Sequence, residues 1–127
     1  MVSLRRGFTL IELVVVLAII ALLLSLAAPR YFHSIDKSKE SVLKANIAAT
    51  RDALDKFYGD NGKYPEGLDK LVEKKYLRSL PYDPIAESNS KWIIVPPPDQ
   101  PDQTNLVFDI HSGAEGNASD GTAYNTW

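Results

Sequence analysis

From Phe8 to Ala28, 21 residues, the chain is apolar except at Thr9, Glu12 and Ser25. A helix over that stretch would reach roughly 30 Å, the thickness of a bilayer core. Past Tyr31 the pattern changes. Leu43, Ile47, Leu54, Phe57 and Tyr58, joined by Val42 and several alanines, recur at helical spacing and predict an amphipathic helix with one core-facing stripe. Its opposite face carries Lys37, Lys39, Glu40, Lys44, Arg51, Asp52, Asp55 and Lys56, which reads as a solvated or subunit-contacting surface. "GDNGKYP" at 59–65 ends the run, with Gly59 and Gly62 suited to a C-cap and a turn and Pro65 forbidding continuation. One helix from Phe8 to Tyr58 would hold about 50 residues, far beyond the roughly 10–14 of an average helix, and needs both lipid and a globular pad to support it.

The remaining elements are short. Glu66 to Tyr76 predicts a small amphipathic helix through Leu68, Leu71, Val72 and Tyr76. "LPYDP" at 80–84 reads as a turn-rich linker, and "PPPDQPDQTN" at 96–105 as a rigid polar loop. "KWIIV" (91–95) and "NLVFDIH" (105–111) are the strand candidates, with Trp92, Ile94, Val107 and Tyr124 expected to cover the long helix. "SGAEGNASDGTAYNTW" at the C-terminus is loop-like, anchored by Tyr124 and Trp127. The fold class is α+β.

Composition narrows the function. The chain has 127 residues and no cysteine, so a small domain outside the apolar block must rely on packing, a metal ion or neighbouring subunits rather than disulfides. Its net charge is −2, and without Arg5 and Arg6 the count becomes 12 basic against 16 acidic, or −4. This is not the footprint of a nucleic-acid binder. The two histidines, His33 and His111, stand far apart, and the sequence holds no P-loop, G-x-G-x-x-G or nucleophile–base pattern, so no enzyme is expected.

The apolar block raises a question through Glu12, since a carboxylate in lipid is costly unless paired. A cleaved secretory signal is a poor fit, because the block is too long and "SLAAPRY" lacks a small-residue cleavage site. A soluble core helix is a poor fit too, since so short a chain cannot cover it on every side. Arginines before the block predict a cytoplasmic N-terminus. The string "RRGFTLIEL" resembles the class III prepilin signal of type IV pilins and type II secretion pseudopilins. The resemblance implies cleavage between Gly7 and Phe8 by a prepilin peptidase, N-methylation of Phe8, and an assembly role for Glu12, whose carboxylate neutralises the new amine of a neighbouring subunit. Pro29 removes a helical hydrogen bond, and the resemblance implies a kinked, continuing helix that loosens locally on filament packing. The expected organisation is a leader at 1–7, a transmembrane half-helix at 8–28, a periplasmic half-helix at 29–58 and a globular domain at 59–127. That is the type IV pilin-like architecture, a long helix packed on a small antiparallel sheet.

"NGKYP", "GLDKLVEKKYLRSLPYDP" and "FDIHSGAEG" are similar to the major pseudopilins of type II secretion, although "DPIAESNSKW" replaces the family's "DPWG". The resemblance implies a homo-oligomeric helical filament in the bacterial inner membrane, working with an assembly platform, minor pseudopilins and a cytoplasmic ATPase to push exported proteins through an outer-membrane channel. It also implies calcium in the last loop, where Ser112, Glu115, Asn117, Ser119 and Asp120 supply oxygens. Only two of these are carboxylates, and calcium takes about 6–8 oxygen ligands, so the backbone would have to contribute; an ordinary Gly/Ser/Asp loop reads the same way. A type IV pilus subunit is the neighbouring reading, disfavoured because those pilins frequently carry a C-terminal disulfide. A membrane-anchored binding module is a third, and leaves the G-F-T-L-I-E junction unexplained.

Overall fold

The computed structural model describes residues 6–100 and 102–127. Arg5 and the rest of the 1–5 leader segment, and Pro101 in the proline-rich loop, lie outside the described residues. Helix α1 runs Leu10–Asn61, continuous through Pro29. It starts two residues after the expected Phe8 and ends three after Tyr58. Its end is set by Gly62, which adopts φ +70° and donates its amide to the Tyr58 carbonyl at 2.8 Å. This left-handed cap favours glycine because a Cβ is penalised there. The chain divides after Ile35 into two units.

In the first unit every described residue up to Ser34 is solvent-exposed, and the helix carries a stretch of mean hydropathy 3.0 with none of it buried. That is a helix long and apolar enough to cross a membrane.

In the second unit α1 turns Leu43, Ile47, Thr50, Ala53, Leu54 and Phe57 into the core. Against them pack Leu71 of α2 (Leu68–Glu73), Trp92 of β1 (Trp92–Val95), Ile110 of β2 (Asp109–Ser112) and the loop residues Val107, Ala114, Ala118 and Tyr124. The strands pair antiparallel with Trp92 opposite Ser112 and Val95 opposite Asp109. A 3-10 turn at Tyr124–Thr126 follows.

Several expectations shift. α2 is shorter than Glu66–Tyr76, because Lys75 adopts φ 66° and the Tyr76 amide folds back to the Leu71 carbonyl at 2.8 Å. β2 begins at Asp109 rather than Asn105, since the Val107 amide is drawn to the Pro65 carbonyl at 2.8 Å and leaves the ladder. Ile94 does not cover the long helix. It is 41% exposed and lines an open cleft of about 470 Å³ with Leu68, Leu80, Trp92 and Val107. Tyr58 and Val42 stay about half exposed, and Tyr58 instead stacks on Tyr64 with ring centroids 4.6 Å apart.

The linker at 80–84 is more than a turn. Asp83 is fully buried, and its Oδ1 accepts the amides of Ile85 and Ala86 while its Oδ2 accepts the Ser112 hydroxyl. Flanking carbonyls bind the rest of the unit: Pro81 accepts Trp92 Nε1 at 2.9 Å and Tyr82 accepts Asn46 Nδ2 at 2.6 Å. Arg51 ties α1 to β2 through Asp109 at 2.8 Å and the Ile110 carbonyl.

Candidate functional site

Two places carry the residues singled out from the sequence, one in each unit. At the start of α1, Phe8 is 88% exposed and Gly7 meets no atom that a Cβ would touch, so the Gly7–Phe8 bond is sterically open. Thr9 and Glu12 form a capping box. The Glu12 amide donates to Thr9 Oγ1 at 3.2 Å, and the Thr9 amide donates to Glu12 Oε2 at 3.4 Å. T-x-x-E at a helix start satisfies two otherwise orphaned donors reciprocally, and the negative side chain suits the positive end of the helix. Glu12 therefore lies in the first turn of α1, with its carboxylate beside the Thr9 backbone.

Pro29 leaves the Ser25 carbonyl without its usual donor four residues on, while the Ser25 hydroxyl donates to the Leu22 carbonyl at 2.7 Å.

The C-terminal loop is built differently from a cation cage. Asn117 and Ala123 form an isolated antiparallel bridge, and the Ala118 amide donates to the Thr122 carbonyl at 2.7 Å, closing a small ring across Gly121. Of the five expected ligands, Ser112 is fully buried with its hydroxyl on Asp83 and the Ala114 amide. Asp120 turns Oδ1 onto the Thr122 amide and hydroxyl, and the Thr122 hydroxyl bond, first, holds its carboxyl below the usual value. Glu115 and Asn117 are exposed. Ser119 gives its hydroxyl and its amide to Glu40, at 2.7 and 2.8 Å. Among the described residues no group of three or more His, Cys, Asp or Glu side chains is placed to hold a metal ion. The five residues do not converge as acceptors on one centre, so they do not fit calcium as expected.

Glu40 does not lie on the solvated face that its charge predicts: it is only 7% exposed. Besides Ser119 it accepts the Tyr124 hydroxyl at 2.8 Å. The Ser119 hydroxyl, above all, holds its carboxyl below the usual value against the opposing effect of burial. Burial, then the bond to Glu40, pushes the Tyr124 hydroxyl up to about 12. The spacing carries the signal, for 40, 43, 47, 50, 54 and 57 form one stripe, but charge alone points a residue at solvent. Trp127 closes the other side, its Nε1 donating to Thr122 Oγ1 at 2.8 Å and its main-chain oxygen bonded to His111 Nδ1. Lys44 Nζ sits 4.5 Å from the centroid of the Trp127 ring. An open cleft of about 770 Å³, lined by Phe57, Lys63, Tyr64 and Lys70 among others, has neither histidine on its wall.

Residues 2–28 match the family model of the prokaryotic N-terminal methylation motif. Residues 30–125 match the model of type II secretion system (T2SS) protein G. The chain belongs to this pseudopilin family. Similar curated proteins are named type II secretion system core protein G. The Pseudomonas aeruginosa relative is 35% identical, covering 88% of this chain and 85% of its own, and the Vibrio cholerae relative is 30% identical, covering 91% and 89%. The Escherichia coli K12 relative is 35% identical over 63% of this chain and 66% of its own. No solved structure matches. As a pseudopilin the chain is a structural protein, with the long helix and small antiparallel sheet expected of that fold.

Proposed function

We infer that this chain is the repeating subunit of a type II secretion pseudopilus, and that its growth drives exported proteins across the outer membrane. The observation that carries the reading is the continuity of the two family matches, a methylation motif over 2–28 followed by protein G over 30–125. A prepilin peptidase cuts between Gly7 and Phe8 and methylates the new amine. The apolar start of α1 stays in the inner membrane with the N-terminus cytoplasmic and the globular unit periplasmic. Glu12, held on the first turn by Thr9, then faces a neighbour's Phe8 amine as the subunit enters the filament. An unpaired carboxylate in hydrocarbon is costly, so a subunit out of register is penalised. The inner-membrane platform and minor pseudopilins are the remaining partners.

Deleting the gene and comparing extracellular proteins with surface pili tests this. Loss of export with pili unchanged is the expected result. Loss of pili with export intact would make the chain a pilus subunit and overturn the secretion reading.

A further inference from the structure

A cation site gathers lone pairs around one centre. At the C-terminal loop the polarity is reversed. The Ser119 amide, the Ser119 hydroxyl and the Tyr124 hydroxyl all aim hydrogens at a single carboxylate, at 2.8, 2.7 and 2.8 Å. Both Glu40 oxygens are engaged, and the bonds span 79 to 84 positions of sequence. Of the loop's two acids, Asp120 accepts the Thr122 amide and hydroxyl, and Glu115 stands exposed. Loop backbone groups are also occupied, with the Gly121 amide on the Ala118 carbonyl and the Tyr124 amide on the Gly116 carbonyl. Gly116 and Gly121 adopt φ +92° and +87°, which lets the ring turn tightly enough to bring Ser119 onto the helix.

We propose that Glu40 closes the C-terminal loop as an internal anion, where the family resemblance expects a calcium ion, so that this pseudopilin folds its loop without metal. All three donors to Glu40 are neutral, so the carboxylate keeps its charge. The charged groups around it are Asp36 one turn earlier on α1, Lys44 one turn later, and Asp120 in the loop; Lys44 acts on Asp120 and Asp36 on Tyr124. A chain built this way draws its loop rigidity from α1, and the isolated protein carries it with or without the filament.

The test is thermal unfolding of the full chain in detergent micelles, followed by tryptophan fluorescence, in millimolar calcium and in excess chelator. The expected result is one midpoint in both conditions, and a midpoint several degrees lower for Glu40→Gln, again unaffected by calcium. Should Glu40→Gln not fold, Ser119→Ala and Tyr124→Phe each remove one hydroxyl donor and are expected to lower the midpoint in smaller steps. A calcium-dependent rise in the unmodified chain would overturn the proposal. So would a Glu40→Gln chain, or both donor variants, melting with the unmodified one. Neither outcome bears on the secretion phenotype, which is read separately in cells.

Discussion

Single side chains decide the pH range over which the second unit holds together. The Glu40 carboxyl is depressed below its ordinary value of 4.5, so its contribution is fully present above that value and fades as pH falls through the lower folded value. Tyr124 runs the other way. Its hydroxyl is raised from 10.0 to about 12, so its contribution is present below 10 and lost as pH climbs towards 12. Tyr64, raised by burial, and Tyr76, raised chiefly by its bond to Asp60, add to the alkaline side. A stability profile by chemical denaturation should therefore fall off at both ends, with Glu40→Gln flattening the acid flank and Tyr124→Phe softening the alkaline one. Asp83→Ala strips an acceptor from two amides and the Ser112 hydroxyl in a fully buried setting. Its expected cost is about 3 kcal/mol, measured as a shift in denaturation midpoint. Neither acid stood out in the sequence, because a lone carboxylate looks solvated until its distant hydroxyl donors are known, Ser112 for Asp83 and Ser119 and Tyr124 for Glu40. The methylation motif over 2–28 was legible for the opposite reason: its pattern is contiguous.

At the scale of elements, type was legible and boundaries were not. The apolar block, the stripe from Leu43 to Phe57 and the WIIV strand are local patterns, and local patterns survive folding. α2 ended early and β2 began late because single residues spent their backbone groups elsewhere: Lys75 in its left-handed turn, Val107 on Pro65. Glycines show how tightly those junctions are set. A Cβ added at Gly113 would lie 1.8 Å from the Lys91 carbonyl, a backbone atom that cannot swing away. Gly113→Ala is expected to cost about 1–3 kcal/mol by overpacking at the end of the β-ladder, and thermal melting of the full chain checks it. Gly62→Ala meets no neighbour but must hold φ +70°, and should cost about 1 kcal/mol from backbone conformation alone.

For the whole molecule, processing and assembly make separable predictions. Intact-mass measurement on protein from normal cells should find the chain starting at Phe8 with one added methyl group; retention of residues 1–7 would remove the signal assignment. Glu12→Ala should still insert in the membrane, since the change makes the segment more apolar, yet assemble no filaments by electron microscopy. Normal filaments from that variant would sink the pairing argument.

Pro29 has a mechanical consequence. A helical residue advances the chain by about 1.5 Å, whereas an extended one advances it by roughly 3.3 Å. The turn before Pro29 already lacks one of its hydrogen bonds, so it is the cheapest place on α1 to pull straight. Four residues drawn out there would lengthen the subunit by about 7 Å with the sheet and the clasped loop untouched. In the filament proposed above, such a turn would put slack into each subunit, and load along the axis would be taken up as reach rather than as broken contacts.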